Sequence, residues 1–209
     1  MFTSPRVPLW LKVGWTLWVL VWIPFYWRYY GPQNFLWFCD LSNLLVAVAL
    51  WAESPLIFSW QSVSILLVQA LMTVDVLGRL VLHRHVIGGT EYMFDSSYPL
   101  YIRLLSTYHF VIPFILIWAL ARFRYDRRAL ALQCVTMLII LPLSWLFGPG
   151  HPEDPVLARD INWSWGVFDK PQHVLPPWLY LIVCLVGYPL LLYVPSHLAL
   201  HRLFGKRAA

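Results

Sequence analysis

The run IFSWQSVSILLVQALMTVDVLGRLVL, residues 57–82, is long and apolar enough to cross a bilayer, yet it carries an aspartate at position 75 and an arginine at position 79. A spanning helix needs about 20 apolar residues, because the hydrocarbon core is about 30 Å thick and each helical residue rises about 1.5 Å. Five further runs of similar character flank it, at residues 8–27, 34–52, 101–121, 129–148 and 176–200. A chain of 209 residues then has little left for a separate water-soluble domain. The expectation is an all-α fold: residues 1–209 as a single polytopic membrane bundle of about six transmembrane helices.

Composition agrees with lipid as the solvent. Hydrophobic residues make up 60% of the chain and charged residues only 12%, far from the balance of a soluble domain. The 13 tryptophans suit a protein that crosses two membrane–water interfaces. Arg6 and Lys12 precede the first apolar run, as in a secretory signal, but no small-residue cleavage site follows it, so it reads as a retained helix. Cys39, Cys134 and Cys184 all fall inside expected spans, and no disulfide framework is implied. The formal charge of +5 is accounted for by topology and membrane contact, with no nucleic-acid partner.

Cationic loops are retained on the cytoplasmic side. Arg6, Lys12, Arg122, Arg124, Arg127, Arg128, Arg202, Lys206 and Arg207 place nine basic residues on the side shared by both termini. Arg28, Arg79, Arg84, Arg103, Arg159 and Lys170 place six on the other. Both termini are therefore expected in the cytoplasm and the chain in the cell (inner) membrane.

Ionisable residues inside spans carry the functional signal, because a carboxylate near mid-bilayer costs about 3 kcal/mol and usually faces a bundle interior or a site. Counting helical rise from the outer ends puts Cys39 about 8 Å, Asp75 about 10 Å and His109 about 12 Å below the surface. Cys39 and Asp40 lie three or four residues from Asn43, which gives the second span a polar stripe. Asp75 has Arg79 one turn away as a natural ion-pair partner. Arg103, Ser106 and His109 recur at spacings of three, and Pro113, four residues beyond His109, predicts a kink there. A histidine near a thiol supplies the base for a nucleophilic cysteine, and the chemistry expected is acyl transfer or hydrolysis through a thioester. No cofactor and no metal is called for.

The segment NFLWFCDLSNLLV, residues 34–46, resembles the Leu-Cys-Asp segment of the YwaF-like integral membrane proteins, which extend to a eukaryotic transmembrane phospholipid acyltransferase. YMFDSSYPLYIRLLSTYHFVIPF, residues 92–114, is similar to that family's Asp-bearing loop and single-His helix. INWSWGVFDKPQHVLPPWLYL, residues 161–181, is similar to the segment before its last helix. The order of motifs is kept over most of the chain, although Trp37-Phe38 replaces a common His-Leu pair and Met93-Phe94 a Thr-Pro pair. The resemblance implies a fatty acyl chain passed between membrane phospholipids by Cys39 and His109. It implies supporting positions at Asp95 and Asn162.

Other classes fit parts of the pattern. A metal site would draw on His83 and His85 with Asp40 or Asp75. A small transporter would use the prolines that interrupt the spans, Pro24, Pro113, Pro142, Pro189 and Pro195, and a noncatalytic scaffold or assembly subunit would need no site. Residues 149–176, with Asp154, Arg159, Asp160 and Trp163, are expected either to cap the outer mouth or to form a solvated loop anchored by Trp163 and Trp165.

Overall fold

The computed structural model describes residues 6–148 and 160–205, and every regular element among them is helical. Helix α1 spans Leu9–Tyr30; after a 3₁₀ turn at Pro32–Leu36, α2 spans Phe38–Ala52 and α3 spans Pro55–Leu82. A 3₁₀ turn at Glu91–Met93 leads to α4, Leu100–Leu105, and α5, Tyr108–Phe123, followed by α6, Ala129–Leu146. Two further 3₁₀ turns, Ile161–Trp163 and Val167–Asp169, precede α7, Pro177–Tyr188. A π-helical turn at Pro189–Tyr193 then runs into α8, Val194–Phe204.

Five stretches are long and apolar enough to cross a membrane: Leu9–Tyr30, Pro55–Leu82, Leu100–Phe123, Ala129–Leu146 and Pro177–Phe204. The sixth, α2, has only 15 residues. It starts at Phe38 instead of residue 34, because Gly31 turns the chain at φ 81° and Pro32 opens the 3₁₀ turn. Cys39 therefore stands in the first turn of its helix, not a turn or more inside it.

Large apolar side chains face outward, and polar side chains are buried among the apolar core residues. Phe114 is 74% exposed and Leu191 73%, whereas Gln69 is 1% and Gln133 0% exposed. Lipid solvates the apolar exterior, and polar side chains that cannot be satisfied there turn inward. Helix α3 is the hub, packed against α2, α5, α6 and α8. Its buried face carries Ser59, Ser62, Ser64 and Gly78, small residues that let neighbouring backbones approach.

The C-terminal end of α3 departs from expectation. Asp75 does not pair with Arg79; the chain turns back after His83, and residues 85–90 wrap its carboxylate. Oδ1 accepts the backbone N–H groups of Val86, Ile87 and Gly88 at 2.8, 2.7 and 2.9 Å. Oδ2 accepts from His85 Nδ1 at 2.8 Å and from the Thr90 hydroxyl. Arg79 instead donates to the His83 carbonyl at 2.6 Å and lies 5.7 Å over the Phe94 ring. The physical reason is that a carboxylate with 0% exposure needs several donors, and a returning backbone supplies them without desolvating a second charge. Close return is possible because residue 78 is glycine: a Cβ there would lie 2.4 Å from Val86 Cγ2.

Asp75→Ala leaves three backbone amides without their acceptor and is expected to lower unfolding stability in detergent by about 3 kcal/mol. Faster amide exchange at Val86, Ile87 and Gly88 should accompany the loss. Arg79→Ala, which removes an exposed bond, is expected to change stability by less than about 1 kcal/mol.

Candidate functional site

Cys39, Asp40 and His109 line one cavity of about 570 Å³, together with Asn162 and Gln69. Its walls come from the C-terminal end of α1, the first turn of α2, the middle of α3, the α4–α5 junction, and α7 with the π-helical turn. The volume is that of a small-molecule or headgroup pocket.

Cys39 occupies its place because α2 begins there. A helix leaves its first N–H groups without intrahelical acceptors and carries a partial positive charge at that end. Asn162 supplies part of the missing pairing from far along the chain. Its Oδ1 accepts Phe38 N–H at 3.0 Å, while its Nδ2 donates to the Leu36 carbonyl at 2.8 Å and to Ser144 Oγ at 2.9 Å. Its own carbonyl accepts the Tyr188 hydroxyl at 2.6 Å. One residue thus ties α2, α6 and α7 together beside the thiol.

Asp40 is 3% exposed and accepts hydrogen bonds from Asn34 Nδ2 and the Tyr108 hydroxyl. His109 is 6% exposed; its Nδ1 is 3.2 Å from the Gln69 amide nitrogen, and its ring packs 4.1 Å from that of Tyr108. With the amide turned so that its oxygen meets Nδ1–H, the Nε2 lone pair is left to take a proton.

The kink expected at His109 from Pro113 is met by a break that lies just before the histidine. Helical assignment stops between α4 and α5 at Ser106 and Thr107, and Pro113 sits inside α5. Ser106 Oγ bonds the Ile102 carbonyl at 3.0 Å and the Tyr26 hydroxyl at 2.6 Å, and Thr107 Oγ1 bonds the Leu104 carbonyl at 2.7 Å. His109 and Phe110 N–H reach back only three residues, to Ser106 and Thr107. Hydroxyls that bond back to the preceding turn tighten and bend a helix, so the serine–threonine pair contributes to the break beside His109.

The remaining predicted positions fall elsewhere. Asn43 is fully buried between helices and does not line the cavity; only its backbone carbonyl has a described partner, the Trp15 indole at 3.2 Å. Asp75 and Arg79 serve the returning loop described above, so the α3 residue at the level of the thiol and histidine is Gln69. Asp95 is exposed and accepts Ser97 N–H at 2.8 Å in a turn; that bond, more than the nearby charge of Arg103, holds its carboxyl below the usual range. Arg103 is half-buried outside the cavity lining. His83 caps α3 in a left-handed conformation while His85 bonds Asp75, so the two histidines diverge. Among the described residues no three His, Cys, Asp or Glu side chains are grouped as metal ligands.

Gln69 was detectable in the sequence as the lone polar residue of ILLVQALM. Tyr26 and Tyr108 gave no comparable signal, since tyrosine occurs throughout spanning helices, whereas Ser106 was marked by its spacing of three from Arg103 and His109. Of the segment expected to cap the mouth, Asp154 and Arg159 lie outside the described residues. Of residues 160–169, Asn162, Trp163 and Val167 line the cavity. Asp160 holds the segment by accepting Trp165 N–H at 2.9 Å and Gly166 N–H at 2.8 Å. Asn162, Trp163 and Phe168 all have positive φ, at 55°, 51° and 58°. Left-handed backbone is tolerated by asparagine but costs about 1–2 kcal/mol at a bulky residue, so the cap is held against strain.

No protein-family model, curated protein or solved structure matches the chain.

Asn162→Ala removes three side-chain hydrogen bonds and puts a Cβ-bearing residue without local polar compensation at φ 55°. A stability loss of about 3 kcal/mol is expected, read as a lower thermal midpoint. Alkylation of Cys39 by a membrane-permeant maleimide should be faster in this variant, because the start of α2 is no longer pinned.

Proposed function

We propose that the chain is an intramembrane lipid acyltransferase in which Cys39 carries the acyl group. The observation that supports this reading best is that Cys39 and His109, from different helices, line the same largely apolar cavity. The proposal keeps both termini in the cytoplasm, on the nine-to-six distribution of basic residues, so that the cavity opens toward the outer leaflet of the cell membrane.

In the first half-reaction His109 takes the thiol proton, the Cys39 sulfur bonds the ester carbonyl carbon, and the ester C–O bond breaks. His109 returns the proton to the departing lysolipid oxygen. In the second half-reaction a lipid hydroxyl gives its proton to His109 and attacks the thioester carbonyl; the C–S bond breaks and the thiol is reprotonated. The negative charge on the carbonyl oxygen in each tetrahedral intermediate is met by the N-terminal end of α2, where the helix dipole favours an anion. Gln69 is a positioning residue that holds the His109 ring, and Asp40 with Tyr108 fixes the turn that presents the thiol.

Incubation with a phospholipid bearing a labelled acyl chain should leave a hydroxylamine-labile adduct on Cys39, seen by intact mass. Cys39→Ala should abolish acyl exchange, and His109→Ala should slow it by at least about a hundredfold, as loss of a general base does. Wild-type exchange by a folded Cys39→Ala protein would refute the proposal.

A further inference from the structure

Helix α3 packs against the π-helical turn and α8, whereas α7 packs against α6. Both α3 and α7 line the cavity, with Val68 and Met72 from one and Val183 and Gly187 from the other. At Gly187 the space is open: a Cβ there would meet nothing within 4 Å. The π-helical turn that follows adds Leu191, Leu192 and Tyr193 to the same lining. A π turn inside a helix shifts its register, and such turns recur at functional sites.

This row of residues connects the thiol to the lipid-facing surface. At one end, the Tyr193 ring lies 6.4 Å from that of Phe38, the residue before Cys39. Tyr188 is tied to the same turn through Asn162, which accepts from the Tyr188 hydroxyl at 2.6 Å and from Phe38 N–H at 3.0 Å. At the other end, Val183 is half exposed and Leu191 is 73% exposed, so residues that line the cavity also stand on the outer surface. From Pro177 to Tyr193 the sequence contains no charged residue and no histidine.

An apolar space left empty forfeits dispersion contacts along its walls, and water finds too few polar partners there. A hydrocarbon chain fills such a space and reaches it directly from the bilayer. We propose that the row Val183, Gly187 and Leu191 of the last span seats the acyl chain of a membrane lipid that enters sideways, with its ester end toward Cys39. This inference deepens the acyl-transfer reading by assigning the subsite of the chain, and it rests on that reading for the direction in which the ester points.

The test uses the full chain carrying Cys39→Ala, so that no covalent transfer contributes, in nanodiscs doped with a phospholipid that has a diazirine midway along one acyl chain. Phosphatidylcholine and phosphatidylglycerol probes are run separately, and labelled positions are mapped by mass spectrometry after photolysis. Label is expected on Cys184, which lines the cavity and is buried from surrounding lipid, as well as on the exposed Phe114. Gly187→Trp should cut the Cys184 label about tenfold relative to that on Phe114, equal to about 1.4 kcal/mol in occupancy. Gly187→Ala should leave it unchanged. Should the tryptophan lower the thermal midpoint, Gly187→Leu takes its place, since leucine favours a helix over glycine. Label on Phe114 with none on Cys184 from either probe would overturn the proposal, and that comparison needs no change at Gly187. A Cys184 label untouched in a folded Gly187→Trp protein would also overturn it. With Cys39 restored, a thioester formed at an undiminished rate in Gly187→Trp would sink this inference alone. Label on Cys184 with no thioester in the unsubstituted chain would sink the transfer reading alone.

Discussion

Lipid offers no hydrogen bonds, so each polar side chain in a spanning helix must find its partner within the bundle or at its ends. That requirement shapes the interior of this protein more than apolar packing does. The lipid-facing surface of Leu, Phe and Trp would be the same for many arrangements of six helices. The polar residues admit far fewer. Asp75 draws residues 85–90 back onto α3, Asp40 gathers Asn34 and Tyr108, and Gln69 meets His109. Each of these contacts fixes the rotation of a helix or the path of a connection.

The cavity follows from where helices stop. Helix α2 begins late, after a glycine and a proline, and α4 gives way to α5 at two hydroxyl residues. The space between these broken ends is closed by the segment around Asn162, in a strained left-handed backbone held by Asp160. Strain of this kind persists only where the surroundings over-determine it. Here the surroundings are the start of α2 on one side and α6 and α7 on the other.

Much of this arrangement was legible in advance, for identifiable reasons. The spans could be read because the thickness of the hydrocarbon core imposes a length on apolar runs. Cys39 and His109 could be assigned to a common level, since helical rise converts sequence position to depth. Asp75 was assigned to the same level by the same arithmetic but does not line the cavity: depth says nothing of whether the chain beyond a helix returns to cover a side chain. The pairing of Asp75 with Arg79 failed because helical spacing shows which groups can meet but not which competing donor lies nearer. The kink at His109 was read from Pro113, the conspicuous residue, whereas the backward-bonding hydroxyls of Ser106 and Thr107 that accompany the break there give no such sign in sequence.

The sequence by itself determined the solvent, the helical class and the approximate spans, because these depend on local composition summed over about 20 residues. It also named Cys39, Asp40 and His109 as residues whose presence in lipid needs explaining. The tertiary structure alone decided that these three share a cavity with Asn162 and that Asn43, Asp75, Asp95 and Arg103 lie outside its described lining. Those outcomes depend on the rotation of each helix about its axis and on contacts across more than a hundred residues, such as Phe38 with Asn162. Hydropathy carries no information on either.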